Sequence, residues 1–108
     1  MSRVVLSEAA RVDRREITAY TVERFGLGQA RRLRDRFQAT LNSLAESPLL
    51  GRTNEELDPL GRSFRYVVVM RSFIIAYEPT DDGIRVARIL HGARNLAEEL
   101  DRDAGDDD

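Results

Sequence analysis

The sequence predicts an α+β domain in which an N-terminal strand and a helical hairpin pack on a small antiparallel sheet, in the order β-α-α-β-β-β, followed by a short C-terminal helix or tail. Two observations lead there. Residues 62 to 94, RSFRYVVVMRSFIIAYEPTDDGIRVARILHGAR, hold three apolar clusters, FRYVVV (64 to 69), FIIAY (73 to 77) and IRVARIL (84 to 90). They are separated by MRS and by EPTDDG, and Pro with Asp-Asp-Gly forms turns, so the segment reads as a three-stranded meander. Ahead of it, Ala30, Leu33, Phe37, Thr40, Leu41 and Leu44 recur at three- and four-residue steps, the spacing of one apolar helix face.

Val4 to Leu6 is a short apolar run that suits a strand. Ser7 before Glu8-Ala9-Ala10 is a good N-cap with an acid in the first turn, so a helix is expected from about Glu8 to Phe25. Its apolar stripe, Ala10, Ile17, Tyr20 and Phe25, is thin, and Tyr20 is expected in the core of the hairpin. Gly26-Leu27-Gly28 interrupts the pattern, and a second helix begins near Gln29 and ends before Pro48. So short a connection favours an antiparallel hairpin. Each helix offers one apolar stripe and the meander one apolar face, which lays the hairpin across the sheet. PLLGRTNEELDPLG, residues 48 to 61, is expected to be the intervening loop, with Tyr66 and Tyr77 as core or edge aromatics of the strands beyond it.

With 108 residues and 42% apolar content, the chain fits one small folded domain. No stretch approaches the roughly 20 apolar residues of a membrane helix, and the N-terminus lacks the apolar core of a secretory signal, so a cytoplasmic protein is expected. The absence of Cys excludes disulfides, thiolate zinc sites and cysteine nucleophiles. A single His argues against a histidine metal cluster, and neither a metal nor a cofactor is expected.

The net charge of −2 hides an asymmetry: residues 1 to 95 carry sixteen Arg against twelve acids, and residues 96 to 108 one Arg against seven. A basic domain over residues 1 to 96 and an acidic, disordered tail over 97 to 108 follow. All seventeen basic residues are Arg, which either genome composition or function can produce. Arg forms bidentate pairs with carboxylates and phosphates and stays charged.

Seven segments, in order, resemble the ParE branch of the RelE/ParE toxins of bacterial type II toxin–antitoxin systems. They are LSEAA (6 to 10); Asp13 with Ile17 and Tyr20; FGLGQA (25 to 30); SPLLGR (47 to 52); LGRSF (60 to 64); FIIAYEP (73 to 79); and DGIRVARILHGAR (82 to 94). Each is weak alone, and together they span about residues 4 to 96. Met70 departs from the small residue that many relatives carry in the first meander turn. The resemblance implies a toxin silenced by a ParD-like antitoxin. ParE-like relatives act on DNA gyrase, whereas RelE-like relatives cut messenger RNA on the ribosome.

The two implied activities ask for different residues. RNA cleavage through a 2′-hydroxyl needs proton carriers and a positive group on the phosphate, and the candidates are His91 with Arg88 and Arg71. Gyrase inhibition needs only a binding surface. The RelE-like enzymes that use Lys–Arg clusters have no lysine counterpart here, and Arg rarely moves a proton. The favoured expectation is therefore a binding toxin, with Arg62, Arg65, Arg71, Arg85, Arg88 and Arg94 meeting the antitoxin or the target. A ribosome-dependent endoribonuclease and a non-toxic interaction module of the same fold are the alternatives.

Strict strand alternation groups Arg85 with Ala87 and Ile89, and Arg88 with Ile84, Val86 and Leu90. An arginine among apolar neighbours needs a carboxylate or a bound partner, and Asp13 on the first helix is the candidate mate. The basic run ARRLRDR (30 to 36) is expected to be a solvated helix face, and direct nucleic-acid binding is not expected. A basic helix–sheet groove suits an acidic antitoxin segment that folds as it binds. The acidic tail of the chain itself is the competing occupant of that basic face.

Overall fold

The structure, a computed structural model, is described for residues 2 to 92. Its elements are β1 (Arg3–Leu6), α1 (Glu8–Glu46), β2 (Arg52–Thr53), β3 (Arg65–Val69), β4 (Phe73–Thr80) and β5 (Gly83–His91). The expected boundary near residue 96, the tail and Arg94 lie outside the described residues.

Ser7 starts α1 as a cap: its Oγ accepts from the Ala10 N–H at 3.0 Å and donates to the Ala87 carbonyl at 2.6 Å. The helical run cannot be one rod. At about 1.5 Å per residue, 39 residues would reach about 58 Å, and the longest dimension of the molecule is 39 Å. The break is Gly26, at φ 88° and ψ 170°, a region open essentially to glycine alone. Residues 8–25 and 27–46 are thus the two arms of the expected hairpin. Gly28 stays helical. Ser47 closes the second arm, its N–H donating to Ser43 O at 3.0 Å.

The sheet order is β1-β5-β4-β3-β2. The meander β3-β4-β5 is antiparallel as expected, with two additions. β1 pairs with β5 in parallel, from Arg3↔Gly83 to Leu6↔Val86, so the sheet is mixed. The loop after the hairpin contributes β2, two residues paired with Arg65 and Tyr66. Gly83 permits the parallel pairing, because a Cβ there would collide with the backbone carbonyl of Arg3. The β3–β4 turn is tight despite Met70. Met70 and Arg71 take φ of 51° and 63°, and the Ser72 N–H donates to Val69 O at 3.3 Å.

The second arm supplies the core as its periodicity predicts: Leu33, Phe37, Leu41 and Leu44 are buried with Val69, Ile75, Tyr77, Ile84, Val86 and Ile89 of the sheet. Each such side chain contributes about 1.5–3 kcal/mol of transfer free energy. The first arm differs from expectation. Its inward positions are Ala10, Asp13, Ile17 and Thr21, while Tyr20 is 44% and Phe25 65% exposed. Two polar residues hold inward positions, which is why the apolar pattern misplaced the face. The opposite side of the sheet carries a smaller cluster of Phe64, Tyr66, Ala76 and Ala87, with Leu57 folded over it from the loop.

Strict alternation fails in β5. The register slips between Tyr77↔Val86 and Ala76↔Arg88, so Ala87 is an extra residue, a β-bulge. Ile84, Val86 and Ile89 accordingly share the helix-side core, and Ala87 lies on the other face. Arg88 leaves the grouping that alternation assigned to it.

Candidate functional site

Four of the expected binding arginines are engaged inside the molecule. Arg88 forms the anticipated pair with Asp13: Nε donates to Oδ2 at 2.7 Å and a terminal nitrogen to Oδ1 at 2.8 Å. Both side chains are about nine-tenths buried. Asp13 Oδ2 also accepts the Ile89 N–H at 2.9 Å. β1 stops opposite Val86, so β5 is unpaired on that edge beyond this point, and Ser7 and Asp13 satisfy the backbone groups that a longer β1 would have met.

On the sheet face away from the helices, Glu78 accepts from Arg62 at 2.6 Å and from Arg85 at 2.9 Å. The Arg62 guanidinium also lies 4.9 Å from the centre of the Phe64 ring. Arg65 donates to the carbonyls of Leu49 (3.2 Å) and Gly51 (2.7 Å) and pins the end of the helical hairpin to β3. Arg71, exposed in the left-handed turn, makes no ion pair among the described residues. His91 is exposed at the end of β5, stacked on Phe73 with ring centres 4.8 Å apart, and 6.2 Å from the Tyr20 ring. Arg88 is held by Asp13, whereas Arg71 and His91 lie at the same end of the sheet, where Phe73 pairs with His91 and the Gly92 N–H donates to Ser72 O at 2.7 Å.

Two tyrosines act as anchors. Tyr77 Oη donates to Pro48 O at 2.7 Å and accepts the Gly51 N–H at 2.8 Å. Burial raises its pKa, and the Gly51 hydrogen bond and the Arg65 charge oppose the rise. Tyr66 Oη donates to Asp58 at 2.7 Å, and the same carboxylate oxygen accepts the Phe64 N–H at 3.0 Å. Burial, then the hydrogen bond to Asp58 and its negative charge, raise the Tyr66 pKa far above the usual phenol value.

The open feature is elsewhere. Between the two arms of α1 runs a groove of about 600 Å³. Ala19, Leu33, Phe37 and Leu41 give it apolar walls, Thr18 and Gln38 add hydrogen-bonding groups, and Arg14, Arg15 and Arg34 line it with positive charge. All three arginines are exposed, and the single contact of Arg34 with its neighbour Asp35, at 3.3 Å on the surface, restrains it little. Sequence reasoning expected the groove between helices and sheet and took Arg34 as solvated face. The available signal was the pair Arg14-Arg15, one to two turns ahead of the inward Ile17 and Thr21, facing a second arm rich in Arg.

An apolar cleft edged with cations, on a two-layer α+β domain whose sheet arginines are mostly satisfied internally, defines a small basic binding module. The chain belongs to the ParE family of toxins: residues 4–96 match the family described as ParE toxin of type II toxin-antitoxin system, parDE. It is similar to Toxin ParE1 of Mycobacterium tuberculosis strain CDC 1551 / Oshkosh, at 33% identity over 91 residues, covering 83% of this chain and 89% of that protein. The Toxin ParE1 of strain ATCC 25618 / H37Rv gives the same figures. The fold is that of a structure described as a chromosomal ParDE TA system from P. aeruginosa, with a TM-score of 0.67 and 15% identity over 86% of this chain and 98% of that one. Among the described residues, no helix is long and apolar enough to cross a membrane.

Proposed function

We propose that this ParE-family toxin inhibits DNA gyrase by binding, acts in the cytoplasm where gyrase works, and is neutralised by a ParD-like antitoxin. The observation that carries the reading is the fate of Arg88. Phosphate chemistry would need its guanidinium, and that group already forms a buried two-point contact with Asp13. Withdrawing it would leave Asp13 as an uncompensated buried charge, at about 3–5 kcal/mol. Of the two arginines that the ribonuclease alternative set beside His91, which stacks on Phe73, only the exposed Arg71 of the β3–β4 turn is then left for a phosphate.

The groove supports the antitoxin half of the reading. Apolar walls accept a few anchoring side chains, and Arg14, Arg15 and Arg34 attract acidic residues beside them. An acidic segment that is unfolded alone and folds on docking suits this surface. The ParDE structure that shares the fold is named for a toxin and antitoxin pair.

Regulated expression with an in vitro gyrase assay tests the proposal. The purified toxin should make gyrase accumulate linear DNA from supercoiled plasmid, and expressing cells should filament with broken chromosomes. Arrested translation with cut messenger RNA would establish the ribonuclease in its place, and neither effect would leave an interaction module.

A further inference from the structure

Val22 to Gly28, at the turn of the helical hairpin, are all exposed. The segment includes Phe25 at 65%, Leu27 at 54% and Val22 at 39% exposure. Val22 and Phe25 are three apart on one arm and so share a face, with Leu27 just past the Gly26 break. Among the described residues, nothing lies within 4 Å of where a Cβ would project from Gly26 or Gly28. Elsewhere Leu49 and Leu50 form an exposed pair in the loop after the second arm, and others, such as Leu60 and Val68, sit singly in a loop or a strand, which is ordinary. A cluster at the apex of a projecting hairpin is not.

The surrounding charge identifies the guest. Arg24, Arg31 and Arg32 flank the apex, all exposed, against Glu23 alone. Arg24 is held beside it over the Tyr20 ring, 5.2 Å from the ring centre. A second copy of the chain would bring like charges together. A nucleic acid would find one ring, Phe25, beside two aliphatic groups, whereas single-strand binding surfaces stack successive bases on several rings.

We propose that Val22, Phe25 and Leu27 form a protein-docking knob that fits an apolar socket with an acidic rim on the toxin's target, separate from the groove between the arms. The inference rests on the toxin reading and adds the surface through which the target is held. The knob residues do not line the groove, so target and antitoxin contact different side chains. Apolar anchors at the centre of an interface carry most of its energy, and the arginines speed encounter with an acidic surface.

The test is the double substitution F25S/L27S, with R24E/R31E as a second variant. Both sites are exposed, so the thermal melt should stay that of the wild type. Gyrase-dependent DNA cleavage and growth arrest should fall at least about tenfold in F25S/L27S, with affinity for the cognate antitoxin unchanged. R24E/R31E should slow association with gyrase and flatten its salt dependence. Wild-type toxicity in F25S/L27S would overturn the knob and leave the toxin reading standing. Loss of antitoxin affinity alongside toxicity would assign the apex to the antitoxin site and overturn the separation. Binding of the chain to duplex DNA that F25S/L27S abolishes would overturn the protein partner. A wild-type chain without effect on growth or gyrase would end the toxin reading and the knob with it.

Discussion

Asp13 and Arg88, 75 residues apart in sequence, meet through two hydrogen bonds of 2.7 and 2.8 Å, with a third from the Ile89 backbone to the same carboxylate. The pair ties the first turns of α1 to the end of β5. Asp13→Ala removes the acceptor and strands a buried guanidinium, so stability should drop by about 3–5 kcal/mol. Asp13→Leu combined with Arg88→Met should recover part of that loss, since apolar replacement of both partners avoids the unpaired charge. Urea unfolding of the three proteins checks both expectations. Equal losses in the single and double variants would mean that packing, and not charge, dominates at this position.

Alkaline pH should unfold the protein through its buried phenols. Tyr66 and Tyr77 have folded-state pKa values raised by burial above the ordinary phenol value. The folded chain then retains protons that the unfolded chain releases, and stability falls as pH rises above about 10. Below that pH both states are protonated and these groups add no pH dependence. Tyr66→Phe should flatten the decline while leaving the Phe64 N–H to Asp58 contact, as denaturation midpoints from pH 8 to 11 would show.

The two glycines of the hairpin turn should respond oppositely to alanine. Gly26 sits at φ 88°, ψ 170°, and Gly26→Ala should cost about 1–3 kcal/mol in backbone strain. Gly28 is helical with open space around it, so Gly28→Ala should stabilise by about 0.5–1 kcal/mol. Thermal melts of the two variants give the comparison. A shift of the same sign in both would exclude Gly26 as the hinge.

Antitoxin binding should depend on the inter-arm groove. Arg14→Glu and Arg34→Glu should weaken the complex and lower its salt dependence, whereas Arg62→Gln, whose side chain pairs with Glu78, should affect folding more than binding. The complex should also melt higher than free toxin, by the equivalent of about 2.7 kcal/mol when antitoxin is at a hundred times Kd. Calorimetric titration at two salt concentrations, with melts of free and mixed proteins, tests this. Full affinity in Arg14→Glu and Arg34→Glu would move the interface elsewhere.

Local features were legible in the sequence. Ser7 caps α1, the period of Leu33, Phe37, Leu41 and Leu44 marks the core face, and turn chemistry separates the strands. The Asp13–Arg88 pair forms as expected from the sequence, although the strand alternation that suggested it fails at the Ala87 bulge. What escaped depends on distant registers. One bulge residue, Ala87, inverts the faces beyond it, and no local pattern announces it. Glu78 claims Arg62 and Arg85 because the strands bring the three together across 16 and 7 positions. The groove arises from the approach of two helical arms, so Arg14 and Arg34 become neighbours of one cavity only after the chain turns at Gly26.

The parallel seam between β1 and β5 also governs when the molecule can exist as a finished object. Arg3 to Leu6 find their mates only in residues 83 to 86. A ribosome must therefore deliver almost the whole described span before the first strand has anywhere to dock. Loop closure over so long a separation is paid before the contacts reward it. Stalled nascent chains that end ahead of residue 83 should remain fully sensitive to protease, and the poison should arm itself only once residues 83 to 86 have emerged.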